Sequence, residues 1–257
     1  MTSEGPAGWF KRAIDRISLG IVARQWAGNA AALLLAFAWL RMPDSHAWQF
    51  LLSVILGLAI VAVFLWLHAT TFRRLRASVL PVPTPVQLLT LVCIILFWMF
   101  LLQPISATRS FEPLLSGYFN SKFSPQMRSF FTFARLVQWQ EYLLDLLEWL
   151  IAGLLLPAAM AAVATGKDTR TFRGLSYVYQ RWQYWAAVFL CGFAGEGLTS
   201  ALVQWTPGKG LVGETISVVA RLAIAYTADI LLWCSVLALT AVYLDRGETV
   251  EPRPVII

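Results

Sequence analysis

The chain has 257 residues, of which 58% are hydrophobic and only 13% are charged, and its mean hydropathy is +0.66. Soluble domains carry about 25% charged residues, so this composition excludes an ordinary water-soluble fold. The net charge of +6 does not indicate nucleic-acid binding, because the basic residues flank apolar runs and form no compact patch. We therefore expect a protein whose main partner is the lipid bilayer.

Six apolar stretches are each about long enough to cross a hydrocarbon core of about 30 Å, which needs ~20 helical residues. The clearest are residues 47–68, 86–103 and 185–205. The first, 26–40, is the shortest and contains Asn29. The predicted fold class is all-α: a polytopic bundle of six transmembrane helices.

An amphipathic surface helix is predicted before the first span, over residues 7–24. Its apolar residues Phe10, Ile14, Ile17 and Ile21 recur at spacings of four, three and four. That spacing places them on one helix face, which we expect to turn toward lipid or the bundle, while basic residues meet anionic headgroups.

An interfacial helix is predicted before the fourth span. Ser124 and Pro125 resemble an N-cap followed by proline at the first helical position. The aromatic-rich segment 125–141 then leads into the fourth span, 142–165. Pro85 is expected to open the third span in the same way.

The distribution of lysine and arginine predicts the orientation. Thirteen of these residues fall in the N-terminal segment, the second and fourth connections and the C-terminal tail, against six in the other three connections. Positive charge concentrates on the cytoplasmic side, so we expect both termini in the cytoplasm, in the plasma membrane or the inner membrane of a bacterium. The predicted organisation is an N-terminal segment (1–25), a single transmembrane domain (26–244) and a C-terminal tail (245–257).

Three ionisable residues within the last two spans form a candidate intramembrane polar site: Glu196, Arg221 and Asp229. A charge near the bilayer centre costs roughly 2.5–3.5 kcal/mol on insertion scales, so such residues are functional candidates. Counting from the hairpin turn places Glu196 and Arg221 at similar depth, which predicts a direct or water-bridged pair. A buried pair that fixes hairpin register and a substrate or proton site both remain open. Asp229 is either polar packing between helices or a protonatable relay.

Asp145 and Glu148 are weaker candidates at the outer entrance of the fourth span. They are three residues apart and share a helix face. A solvated helix end and a vestibule that attracts cations are the two interpretations.

Known catalytic motifs are missing. The chain has no GxSxG, HExxH, P-loop or GxGxxG pattern, and the three cysteines, Cys93, Cys191 and Cys234, make no CxxC pair. His46 and His68 fall at opposite ends of the second span. We assign no catalytic, cofactor-binding or metal-binding residue, and the balance favours a protein that is not an enzyme.

Three functions are compatible with these observations. The first is a non-enzymatic membrane component that acts through helix packing with lipids, a second copy of itself or another membrane protein. The second is a small transporter with a polar path near Glu196, Arg221 and Asp229. The third is a membrane-embedded enzyme acting on lipid, which the absence of paired catalytic groups disfavours.

Overall fold

The computed structural model describes residues 6–42, 45–76, 82–164, 169–205 and 210–249. Within these ranges the chain forms ten α-helices and no strand. They are α1 (Pro6–Arg16), α2 (Leu19–Leu40), α3 (Ala47–Leu75), α4 (Pro85–Ser110), α5 (Glu112–Lys122), α6 (Pro125–Phe130), α7 (Phe133–Ala164), α8 (Thr169–Tyr179), α9 (Trp182–Gln204) and α10 (Leu211–Thr249). Six of them, α2, α3, α4, α7, α9 and α10, are long and apolar enough to span a membrane. The predicted all-α, six-span fold is confirmed.

The chain divides into two compact units, and both divisions fall inside a helix. The first unit comprises Met1–Val92 and Pro157–Ile257, and the second comprises Cys93–Leu156. The second unit therefore contains most of α4 and α7 together with the short helices α5 and α6.

Local capping sets where two helices begin, as the sequence predicts. At α4, the backbone N–H of Thr84 donates to Gln87 Oε1 (2.9 Å), and Thr84 Oγ1 accepts from the N–H of Gln87 (3.3 Å). This reciprocal capping satisfies two amides that the first helical turn leaves unpaired. Pro85 is the first residue of α4, and Pro125 is the first residue of α6.

The predicted single helix over residues 7–24 is wrong, because α1 ends at Arg16 and α2 begins at Leu19. Ser18 causes the interruption: its hydroxyl accepts a hydrogen bond from the N–H of Ile21 and caps α2. Phe10 and Ile14 lie away from the protein, with 48% and 65% of their surface exposed. The helix α1 instead packs on α10 through Trp9 and Ala13.

The predicted interfacial helix 125–141 is also divided, since α6 ends at Phe130 and α7 begins at Phe133. Thr132 Oγ1 accepts from the N–H of Arg135 and so starts a new helix, while Arg135 Nη1 donates to the carbonyl of Phe130 (2.9 Å). The aromatic cluster thus sits at a helix break, and the fourth span begins nine residues earlier than predicted.

Several sequence predictions fall outside the described residues. They concern parts of the connections between spans, at 43–44, 77–81, 165–168 and 206–209, and most of the C-terminal tail, 250–257.

The carboxyl-terminal half of α10 forms the core of the first unit. Helix α10 has 39 residues, which at 1.5 Å per residue gives about 58 Å, roughly twice the hydrocarbon thickness. Residues 236–244 are all buried, and α1, α3, α8 and α9 all pack against this helix. The fully buried residues include Cys234, Leu237, Ala238, Thr240, Ala241 and Leu244.

Helices α8 and α10 approach closely because glycine lies on both sides of the crossing. A methyl group on Gly247 would lie 2.8 Å from Gly174 Cα and 2.7 Å from Tyr177 Cβ. Neither contact leaves room for a side chain, so the crossing depends on glycine at position 247.

We predict that Gly247→Ala destabilises the protein by about 1–3 kcal/mol, the usual cost of forcing an extra methyl group into packed backbone. Gly213→Ala, on the same helix, is the matched control, because nothing lies within 4 Å of the added methyl. The control should be neutral or up to about 1 kcal/mol more stable, since alanine favours the helix. Reversible unfolding in mixed micelles measures both, and equal stabilities would contradict the described crossing.

Candidate functional site

Arg221, the eleventh residue of α10, contacts the end of α9. Its Nη1 donates to the carbonyl of Leu202 (2.8 Å), and its Nε donates to the carbonyl of Ser217 in its own helix (3.2 Å). The guanidinium also lies 5.6 Å from the centroid of the Trp205 ring. Leu202 is in the last turn of α9, where carbonyls lack helical partners and carry partial negative charge. Arg221, which is only 5% exposed, therefore caps the neighbouring helix.

The predicted direct pair between Glu196 and Arg221 is not found: no ion pair joins the two within the described ranges. Glu196 occupies an exposed position on α9, six residues before Leu202, or about 9 Å along the helix. Counting residues from the hairpin turn gives only the depths of the Glu196 and Arg221 Cα atoms, whereas the long Arg221 side chain extends toward the end of α9. The backbone carbonyl of Leu202 there accepts a hydrogen bond from Arg221, so the guanidinium has a partner that is not a carboxylate.

Asp229 joins α10 to α9 through a polar contact. Its Oδ2 accepts a hydrogen bond from the hydroxyl of Thr199 (3.3 Å). Gly195 lies directly beneath the carboxylate, since a methyl group there would come within 2.9 Å of Asp229 Oδ1. The Gly-rich stretch of α9 thus makes room for this carboxylate, while Gly197 faces open space.

In the second unit, Asp145 and Glu148 share one helix face as predicted, and both bind Arg109. Arg109 Nη2 lies 2.8 Å from Asp145 Oδ1 and 3.1 Å from Glu148 Oε1. Sequence reasoning assigned Arg109 only to a connection, because α4 was expected to end before it. The helix continues through Pro104 to Ser110 and carries Arg109 to α7.

Glu112 is a buried carboxyl that sequence reasoning missed. It opens α5 and is 6% exposed, and its Oε1 is buried without a hydrogen-bond partner. Burial raises the pKa of Glu112, and the nearby Glu141 and Asp145 raise it further, whereas Arg109 acts in the opposite direction. Glu112, Glu141, Asp145 and Glu148 are called the acidic cluster below.

A second polar group missed by sequence reasoning joins the ends of three helices in the first unit. Arg16 Nη1 lies 2.7 Å from Asp245 Oδ2, and Arg76 Nε lies 2.9 Å from Asp245 Oδ1. Arg76 Nη2 also binds Glu248 Oε2 (2.7 Å). These four residues, the terminal cluster, connect α1, α3 and α10. The sequence contains a signal for this cluster. Asp245 and Glu248 are three residues apart at the end of the last span, and the arginines 73, 74 and 76 lie at the end of the second span, which the same threading places on the same side.

Arg73 ties three further elements together. Its Nη1 donates to Gln87 Oε1 (2.8 Å) at the start of α4 and to the carbonyl of Val163 (2.9 Å) near the end of α7. The arginines at 73 and 76, expected only to mark topology, are thus mostly buried structural residues.

His68 lies on α3 among aromatic rings. Both of its ring nitrogens and the indole nitrogen of Trp233 are buried without hydrogen-bond partners. The rings of Phe64 and Trp233 lie 4.3 and 6.1 Å from the imidazole. His46 caps the start of the same helix, 22 residues and about 33 Å before His68, so the two histidines cannot share a ligand. No three His, Cys, Asp or Glu side chains in the described part of the chain are placed to hold a metal ion.

The chain matches no protein-family model, and no curated protein or solved structure is significantly similar to it. The class of protein is therefore assigned from the fold alone. Six apolar helices, long enough to cross a bilayer and joined without strands in the described ranges, make this an all-α, multi-pass membrane protein.

We predict that Gly195→Ala destabilises the α9–α10 pair by about 1–3 kcal/mol, because the methyl group would displace the Asp229 carboxylate. Gly197→Ala, half a turn away with no neighbour within 4 Å, is the control and should be neutral or slightly stabilising. Adding Asp229→Ala to Gly195→Ala should recover part of the loss. If Gly195→Ala behaves like its control in an unfolding titration, the close contact is not real.

Proposed function

We propose that this protein is a non-enzymatic membrane component that acts through helix packing with lipids or partner proteins. The observation that carries the proposal is that two of the three candidate intramembrane residues, Arg221 and Asp229, contact α9. One caps its last turn and the other bonds Thr199. Both contacts serve the hairpin of the last two spans.

The chemistry of these contacts favours packing over transport. A transport path needs polar groups that exchange protein partners for substrate or ions. Arg221 is held by two carbonyls and lies over an aromatic ring, so releasing it would leave a buried guanidinium without partners at a cost of several kcal/mol. These contacts support a fixed structural role for Arg221.

The lipid-facing surface supports the same proposal. Helices α2, α3 and α4 present many large apolar side chains that no other part of the described structure covers, among them Leu34, Leu58 and Phe100. A bilayer or the helices of a partner would cover such a surface. A small transporter remains the alternative function, and a lipid-acting enzyme the second alternative.

We also propose that both termini are cytoplasmic. The contacts of the terminal cluster bring the N-terminal segment, the end of α3 and the end of α10 to one end of the first unit. The ring centroids of Tyr177 and Tyr243 lie 6.3 Å apart near the same end. This contact brings the fourth connection, which contains Tyr177, to the end that carries the other three segments. These are the four basic segments assigned to one side by charge.

The packing role predicts that the α9–α10 contact is dry. In a protein whose native cysteines are replaced by alanine, we expect Thr199→Cys to resist a membrane-impermeant thiol reagent in intact vesicles and to react after denaturation. Lys122→Cys, at the exposed end of α5, is the accessible control. Gly197→Cys, on the open face of α9, reports whether lipid alone protects that helix.

Rapid labelling of Thr199→Cys, comparable with that of the control at Lys122, would reveal water beside Asp229 and make the transporter the better account. Labelling of Gly197→Cys alone would place the aqueous surface on the other face of α9 and would equally contradict a packing role there.

The orientation predicts that reporter fusions at Ser78 and after Ile257 give a cytoplasmic signal, whereas a fusion at Gly117 gives an exterior signal. One candidate span lies between Ser78 and Gly117, so these positions should be on opposite sides, and four lie between Ser78 and Ile257, so these should be on the same side. An exterior signal at Ile257 together with a cytoplasmic signal at Ser78 would require a different span count.

A further inference from the structure

The acidic cluster carries more negative charge than its own contacts balance. Glu112, Glu141, Asp145 and Glu148 surround a single arginine, Arg109, which pairs with the last two of them. The residues at 141, 145 and 148 lie at intervals of four and three on α7, so they share one face. Glu141 takes part in no ion pair within the described ranges.

Glu112 adds an independent observation that points to a missing partner. The residue is 94% buried, and its Oε1 is enclosed without a donor while its carboxylate faces Glu141 and Asp145. A buried carboxylate oxygen that lacks a hydrogen bond is costly. A cationic donor placed between Glu112 and Glu141 would remove that cost.

The other basic residues of the second unit do not supply this donor. Arg128 donates to the carbonyls of Phe123 and Ser121, and Arg135 donates to the carbonyl of Phe130. Lys122 lies over the ring of Tyr118. Each of these contacts lies in the segment from α5 to the start of α7, so the chain's own cations there are engaged elsewhere.

We propose that the acidic cluster binds a primary ammonium group between Glu112 and Glu141. An ammonium ion carries one positive charge and three hydrogen-bond donors, which suits the buried Glu112 oxygen that lacks a donor and the neighbouring Glu141, which forms no ion pair within the described ranges. A metal ion fits less well, because no three acidic, histidine or cysteine side chains of the described residues are placed to hold one.

The ammonium group has two chemical sources, the headgroup of an ethanolamine phospholipid and a soluble polyamine. On α7, Glu141 lies eight residues, about 12 Å, after the start of the 31-residue span Phe133–Val163. A helix of that length extends beyond a hydrocarbon core of about 30 Å, so we expect Glu141 near the level of the lipid headgroups. None of the cluster residues lies on α9 or α10, so the site is independent of the packing role proposed above.

The test measures binding of spermidine and of ethanolamine to the full-length protein in detergent by calorimetry. We expect saturable binding that Glu112→Gln weakens about tenfold or more, since one charge-assisted contact is lost. Glu112→Gln should fold, because it replaces by a neutral amide a carboxylate whose charge burial disfavours. Glu141→Gln should weaken binding similarly, and Glu214→Gln, an exposed carboxylate on α10, is the control.

The pH dependence provides a second readout. Because the pKa of Glu112 is raised, its carboxyl is protonated over a range where an ordinary glutamate is charged. Ammonium binding needs the carboxylate, so the affinity should rise as pH increases through that raised pKa. The facing groups Arg109, Glu141 and Asp145 are the same in every variant compared, apart from Glu141→Gln. Glu112→Gln should flatten this dependence.

Nanodiscs distinguish the two sources. A higher thermal midpoint in ethanolamine phospholipid than in choline phospholipid, lost in Glu112→Gln, identifies the lipid headgroup. Equal midpoints with spermidine binding intact identify the soluble amine. Absence of binding to either probe, or binding that Glu112→Gln and Glu141→Gln leave unchanged, would overturn the proposal, as would preferential binding of Mg²⁺.

Discussion

Hydrocarbon offers no hydrogen bonds, so the polar groups carried by apolar helices need partners inside the protein. Much of the first unit follows from this constraint. Gln25, which has no exposed surface, donates to Thr71 Oγ1 (2.6 Å) and joins α2 to α3. Tyr226 donates its hydroxyl proton to the carbonyl of Trp26 (2.6 Å), and the indole of Trp26 donates to Thr227 (3.1 Å), so α2 is also fastened to α10.

The same constraint explains why α10 is the element around which the first unit assembles. Its central part contacts α2 and α9 through polar side chains, and its last turns are wrapped by α1 and α8. At the crossing of α8 and α10, Gly174 and Gly247 let the two backbones approach closely, as small residues do in helix packing generally. The terminal cluster completes the arrangement, since Asp245 receives an arginine from both α1 and α3. The last span, α10, thereby links the N-terminal helix α1 to α3 and to the preceding span, α9.

Polar groups that already bind other helices have a structural role, and polar groups without such partners are the candidates for binding a ligand. Arg221 and Asp229 join α10 to α9. Arg73 joins the end of α3 to α4 and α7, and Arg76 joins it to α10. The acidic cluster differs in its charge balance, because four carboxylates face one arginine there, whereas the terminal cluster pairs two carboxylates with two arginines. Both clusters contain buried polar atoms without a partner: Glu112 Oε1 in the first, and Arg76 Nη1 and Glu248 Oε1 in the second. Negative charge is balanced by arginine in the terminal cluster and is left in excess in the acidic cluster, which is why the acidic cluster is the better candidate for a cationic ligand.

By itself the sequence determined the fold class, the six spans and the starts of α4 and α6, because span length, apolar composition and capping residues act locally along the chain. It also determined that Asp145 and Glu148 share a face, which follows from helical period alone. Only the tertiary structure decided their shared partner Arg109, the burial of Glu112 and the contacts of Arg221. Those depend on which helices meet and on where a long side chain reaches, and neither follows from spacing within one helix. The direct Glu196–Arg221 contact is absent for that reason: similar depth on two helices does not fix the direction in which each side chain extends.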